Sequence, residues 1–441
     1  MATLNPSVTV SSSISDTDSQ EVSMKPTEFQ PHTLNFFRST GPQMQPARAV
    51  YLKTFFGGCL LIAITIFAVF PIYWGALWET PAHPLRGWIV DFDGGQIGST
   101  ITQGLTSAAL VQASGSYVAW IVVPSSNFPN GPSDVAEKVL DEKAWVAVTI
   151  HANSSTQLQA SLAQPDPSYD PTKVISVYAV EARNENAFRL ITRPTVQQEL
   201  GVLISQFTLQ LSQDVLSLPV NTTDVSANSP QTLLQPIGYQ IINLRPFDHP
   251  LASAITSIGL VFLLVLSFFL VVIGKSARDV AGLEHLLTIR SLILVRLGAP
   301  FIGYFFISLF YSLMSRAFQL PFNRFFGDAG FLIFWMLNWV GMLSLGLALE
   351  SLVTNLTVRF IPFFMIFWVI SNISVCFFPI DALPVVYKYA YAFPFYNVSR
   401  GVRTIVFGTR NTLAMNFGIL IAWVVVSCIT LPLFQIIVSR R

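Results

Sequence analysis

A chain of 441 residues in which 52% are hydrophobic and only 11% charged is far from the soluble norm of about 25% charged. Its 25 basic and 24 acidic residues leave a net charge of +1, so no basic surface for nucleic acid is offered and lipid is the expected solvent. Three cysteines, Cys59, Cys376 and Cys428, all fall inside apolar runs, which excludes a disulfide framework and a spaced metal site.

Residues 1–50 carry SSSISDTDSQ and several prolines, too few large apolar groups to offset ordering entropy, and are expected to be a disordered cytosolic tail. The run Thr54 to Trp78 is long enough for a hydrocarbon core of about 30 Å. Residues 51–78 are therefore read as the first transmembrane helix. Its length, the polar lead before it and the lack of an A-x-A site after it argue for an uncleaved anchor.

Residues 79–250 form a polar insert, read as an extracytoplasmic α/β domain. RGWIVDFDGG from Arg86 alternates and then breaks at Gly94 and Gly95, the pattern of a strand ending in a turn. A helix is expected from Ser99 to Ala113, a second strand in AWVAVTIHANSS, a helix in TQLQASLA and a third strand in KVISVYAVEARN. From Thr195 to Leu218 the apolar positions recur at threes and fours, predicting a long amphipathic helix. IGYQIINLRPFD then returns the chain to the membrane. Strands alternating with helices predict an α/β layer structure.

Residues 251–441 are expected to be a five-helix transmembrane bundle, with spans at Leu251–Ile273, Leu294–Met314, Ala329–Leu349, Phe360–Phe378 and Leu413–Val438. Together with the first span this predicts an α-helical polytopic membrane protein with six transmembrane helices, the α/β domain inserted between spans one and two. With both termini cytosolic, Lys53, Lys275, Arg278, Arg290, Arg359, Arg440 and Arg441 face inward, as the positive-inside bias prefers. Arg316, Arg324, Lys388, Arg400, Arg403 and Arg410 then lie on the other side, so basic residues alone leave the orientation open. Sequons at Asn153 and Asn221 are glycosylation candidates and favour a lumenal or extracellular insert, although Asn355, in an expected inner loop, begins a triplet too.

Between the last two spans, residues 381–411 are too broken by Pro384, Pro394 and Gly401 to cross the bilayer and too aromatic for an ordinary loop. A re-entrant hairpin of two short helices meeting at Pro394 is expected, with Lys388, Arg400 and Arg403 reaching toward head groups. On the inner side the candidates are Glu284 and Arg290 in the segment Gly274–Arg290, and Glu350, for which Arg359 and Arg296 are the expected partners. Asn338 and Asn372 stand inside spans, where amides commonly bind neighbouring helices. Asp91 and Asp93 suit an Asx turn better than a cation site. The five histidines have no metal spacing. No Ser-His-Asp grouping can be nominated and no G-x-S-x-G elbow occurs, so no enzymatic activity and no cofactor are expected.

One span, a large insert whose first strand carries an aspartate and turn glycines, five further spans and an LP…P…R…G hairpin together resemble the permease subunits of type-two ABC exporters, in the phage-infection-protein-like branch. The phrases RLGAPFIGYFFISLFYSLMSRAFQLPF and GFLIFWMLNWVGMLSLGLALESL resemble more narrowly the fungal nitrosoguanidine-resistance membrane proteins. The resemblance implies a permease-like protein of the plasma membrane or endomembranes, linked to drug or toxicant resistance and lipid movement. Implied partners are membrane lipids, a second copy of the chain, and a separate ATPase or other membrane protein. No G-x-x-x-x-G-K-[ST] phosphate loop occurs in the chain, so it carries no ATPase of its own. The alternative is a non-transporting regulator or scaffold that acts on lipid asymmetry or drug uptake through other membrane proteins.

Overall fold

The computed structural model of the chain describes residues 35–37, 44–78, 80–107, 117–217 and 229–440, the side chains of 216–217 and 357–359 excepted. Most of the expected tail, the Asn221 sequon and the end of the helix expected to reach Ala113 lie outside these residues. The chain divides into two compact units, residues 1–63 and 64–441.

Helix α1, Met44–Leu77, starts seven residues before the expected first span, inside what was read as tail. Pro46 falls in its first turn, where the missing N–H costs no intrahelical bond. In the first unit Tyr51 stacks on Phe55 at 6.0 Å and Arg48 lies 5.7 Å from the Phe36 ring.

The second unit holds a five-stranded sheet: β1 Leu85–Asp91, β2 Val118–Val122, β3 Val146–Ile150, β4 Ile175–Ala179 and β5 Tyr239–Asn243. The order is β2-β1-β3-β4-β5, parallel throughout except for the antiparallel β3–β4 pair. Strand alternation places Ile89, Val146, Val148, Ile175 and Val177 on one face and Val90, Ala147 and Tyr178 on the other. Helices α2 (Gln96–Thr106), α4 (Ser154–Ala163) and α5 (Arg193–Ser217) cover the first face, and α3 (Pro132–Leu140) covers the second. Strand β2 and helix α3 have no counterpart in the sequence reading, and β5 falls in IGYQIINLRPFD, read there only as the return to the membrane. Strands β3 and β4 are buried at every position, as expected of strands with both faces covered.

The DFDGG turn is a structural joint. Asp91 Oδ1 accepts the N–H groups of Asp93 and Gly94 at 2.8 and 3.0 Å. Asp93 accepts the Ser155 hydroxyl and N–H at 2.5 and 2.9 Å and the Gly95 N–H at 3.2 Å. It thereby fastens the starts of α2 and α4 to the edge of β1, and a Cβ on Gly98 would run into the Asp91 carboxyl. Replacing Asp93 with alanine strands these donors and should cost about 2 kcal/mol, read as a lower melting temperature; an unchanged one would refute the joint.

The remaining long helices are α6, Gly259–Val280, entered through a π turn at Ala254–Ile258; α7, Ile289–Ala317; α8, Ala329–Ile373; α9, Pro394–Phe407; and α10, Leu413–Ser439. Helix α6 runs past Ile273, the expected end of its span, so Gly274, Lys275 and Arg278 are helical too. The turn that follows uses Gly282 at φ 65°, a left-handed conformation glycine adopts without strain. Thr288 then caps α7, accepting the Ser291 N–H at 3.4 Å.

Helix α8 is assigned as 45 unbroken residues, where the sequence reading had two spans. A straight rod would separate Leu337 from Asn372 by about 52 Å. Both nevertheless touch α9, which is about 21 Å long: Leu337 packs on Gly401, and Asn372 Oδ1 accepts the Phe395 N–H at 3.1 Å. Against α10, the Ser351 hydroxyl donates to the Ser427 carbonyl at 3.3 Å while Trp368 lies 5.2 Å from Trp423. The helix therefore folds back on itself between Ser351 and Trp368, giving two antiparallel limbs. Asn355 stands within this helical fold-back rather than in an open loop.

Among the described residues five helices are long and apolar enough to cross a membrane: Met44–Leu77, Ala254–Val280, Ile289–Ala317, Ala329–Leu356 and Leu413–Ser439. The return limb, Phe360–Ile373, is shorter. The chain is a multi-pass helical membrane protein that also carries a small sheet.

Candidate functional site

The site begins with the end of a helix. At the C-terminus of α3 the Lys143 N–H donates to the Lys138 carbonyl and the Glu142 N–H to that of Val139, both at 3.0 Å, a Schellman closure. Its left-handed position, usually glycine, is occupied by Glu142 at φ 62°. A side chain there is strained by about 1 kcal/mol but projects from the domain. Its carboxylate receives both terminal nitrogens of Arg400, at 2.6 and 2.9 Å, in the bidentate geometry that makes such pairs strong.

Arg183 extends the contact. Its guanidinium lies 3.4 Å from the Trp145 ring, donates to the Ala144 carbonyl at 3.1 Å and reaches Asp381 at 3.4 Å. Asp381 also accepts the Trp145 indole N–H at 3.1 Å. Burial pulls the Arg183 pKa down to about 10, against the opposing pull of Glu142 and Asp381, so it stays cationic at neutral pH. Beside it, Arg403 donates to the Ala182 carbonyl at 3.0 Å and pairs with Glu185 at 2.6 Å.

These groups join the sheet domain to the segment after α8. That segment is a 3-10 helix, Val385–Ala392, followed by α9. Pro384 precedes the first and Pro394 opens the second, where its fixed φ is suited to a helix start. Lys388 is exposed, but Arg400 and Arg403 do not reach for head groups. Arg403 is buried and Arg400 half-buried against acids of the α/β domain, which sequence spacing alone does not reveal because the partners lie 258 residues away for Arg400 and 221 residues away for the Arg403 contact at Ala182.

Two cavities flank the junction. One, of about 340 Å³, is bounded by Arg183, Arg400, Arg403, Arg410 and Cys376. The other, of about 790 Å³, shares Glu142, Arg183 and Asp381 with it and opens toward Arg86, Lys143 and Lys388. Both are amphipathic, with Trp145 and Tyr391 in each wall.

A second charged cluster is buried among the long helices. Glu350, 1% exposed, accepts from Arg278 and Arg296 at 2.8 Å each, and Arg296 also donates to Gln435 Oε1 at 2.5 Å and to the Glu350 carbonyl at 2.7 Å. The expected Arg296 partner is present, and Arg278 is an addition that the extension of α6 makes reachable. Glu350 is thus enclosed within α8, not placed in a watery inner loop. Glu284 pairs with Lys275 at 2.8 Å, apart from this cluster, and Arg290 is exposed in the first turn of α7. Asn338 donates to the Ser312 hydroxyl at 3.1 Å, joining α8 to α7. Asn153 is exposed ahead of α4. No group of three or more metal-ligating side chains occurs among the described residues.

A multi-pass helical membrane protein whose inserted sheet domain is bolted by buried ion pairs to a helix of the bundle is the class these features define. The chain belongs to the family described as protein of unknown function (DUF3533), whose profile matches residues 58–429. It is 28% identical over 446 residues to an uncharacterized endoplasmic reticulum membrane protein of Saccharomyces cerevisiae, covering 94% of this chain and 85% of that relative. No solved structure matches the chain.

Proposed function

We propose that this protein is a permease-like carrier of amphipathic molecules across an internal membrane, with six crossings, both termini cytosolic and the sheet domain on the opposite face. The observation that carries the reading is the ion-paired junction of Glu142, Arg183, Asp381 and Arg400 beside two amphipathic cavities. Such an arrangement places a polar, partly enclosed volume next to apolar helices, which is where an amphiphile can exchange its surroundings. Its relative's name supports the endoplasmic reticulum as the membrane. The likeness to nitrosoguanidine-resistance proteins supports drugs or lipids as cargo. Uphill movement draws its energy from a separate ATPase, since the chain carries no phosphate loop.

The second reading, a non-transporting regulator, is favoured by the exposed apolar surface of α1. Phe67, Trp74 and Trp78 are 82, 61 and 73% exposed and are available to another membrane protein. Purified protein in liposomes separates the two. Movement of a fluorescent lipid by wild type, slowed in Arg400→Ala at equal reconstituted amount, is expected for a carrier; no movement with or without a co-purifying ATPase would leave the regulator.

A further inference from the structure

The larger cavity has an uneven charge balance. Of the acids in its wall, Glu142 is held by Arg400 and Asp381 by Arg183, so both are neutralised within the junction. Arg86, Lys143 and Lys388 line the same cavity, are exposed, and form no ion pair among the described residues. Three uncompensated cations around about 790 Å³ make a potential well for an anion. A phosphate monoester carries about −1.5 to −2 charges and three strong acceptor oxygens, which matches that surplus.

The rim is apolar. Val385 and Ile121 belong to the wall and are 61 and 46% exposed, and neighbouring Val386 is 71% exposed. The Tyr387 hydroxyl donates to the Ile72 carbonyl at 2.8 Å, tying this rim to the end of α1, where Trp74 and Trp78 stand exposed. Tryptophans at a span end mark the head-group level of a bilayer. Cations inside and valines at the lip, at that depth, suit a molecule with a phosphate at one end and hydrocarbon at the other.

The geometry points to a binding site for the phosphate head group of an anionic lipid, formed by Arg86 and Lys143 of the sheet domain and Lys388 of the 3-10 helix. It rests on the membrane placement proposed above and names the cargo class of that reading. Opposite elements supply the cations, so the head group would bridge sheet domain and hairpin.

The test uses the full chain in detergent, titrated with short-chain phosphatidic acid, short-chain phosphatidylcholine or inorganic phosphate, with melting temperature as readout. Phosphatidic acid should raise the melting temperature, and combined Arg86→Gln, Lys143→Gln and Lys388→Gln should weaken its apparent affinity by about a hundredfold without shifting the lipid-free melt. Should the triple variant melt early, Lys388→Gln alone should give a smaller loss of the same sign. An equal shift with inorganic phosphate would overturn the lipid as ligand, an equal shift with phosphatidylcholine would overturn anion selection, and no shift or an unchanged affinity in the variants would overturn the site. Transport of a zwitterionic lipid without phosphatidic acid binding would defeat this inference alone, whereas binding without movement of any lipid would defeat the carrier reading alone.

Discussion

Glu350→Gln should lower the melting temperature of the detergent-solubilised protein by about 4 °C, the largest effect expected of any single substitution here. Glu350 faces two guanidinium groups, Arg278 and Arg296, each at 2.8 Å, and the Arg278 Nε finds no acceptor among the described residues. The cluster is therefore already short of negative charge. Removing its carboxylate leaves two buried cations uncompensated, at a cost of about 3–5 kcal/mol. Replacing Glu350, Arg278 and Arg296 together with leucine or methionine should recover most of that loss, because no charge is then left without a partner. A wild-type melt for Glu350→Gln, or a triple replacement no better than the single one, would contradict the arrangement.

Glu142→Ala and Arg400→Ala should each destabilise the joint between sheet domain and bundle by about 3 kcal/mol, and the double replacement should cost little more than either alone. The two carboxylate–guanidinium bonds, at 2.6 and 2.9 Å, are enclosed, so neither partner regains good solvation when the other is cut away. Glu142→Gly provides a control with a distinct sign on the backbone. It relieves the left-handed strain at φ 62° while deleting the ion pair, and should fall short of the alanine loss by about 1 kcal/mol. Additive losses in the double replacement, measured as a double-mutant cycle, would show that the pair is not coupled.

How much of this was legible in the sequence depends on the range of the interaction concerned. The long apolar runs and the period-two pattern around Ile89 and Val148 are local signals, and they located α1, α6, α7, α10 and three of the five strands, β1, β3 and β4. The fold-back of α8 was legible as two runs separated near Arg359, even though the helical assignment continues through the bend. Strand β2 escaped because SYVAWIVVP is a short edge segment between residues with no clear periodicity. The Asx turn of DFDGG followed from residue type and spacing alone. The site was legible only in part: Arg400 and Arg403 stood out as cations in an aromatic hairpin, but their acids Glu142 and Glu185 lie in another domain of the chain. Glu142 gave no local sign at all, since a glutamate closing a helix where glycine is usual is visible only from backbone torsions. Arg278 falls outside the expected span because the apolar run ends at Ile273, whereas helix α6 carries on for seven further residues, to Val280.

Helix α9 is gripped by both limbs of α8 and holds the sheet domain through Arg400. A rotation of the sheet about the Glu142–Arg400 pair would therefore act on α9, a lever about 21 Å long, and through it on both limbs.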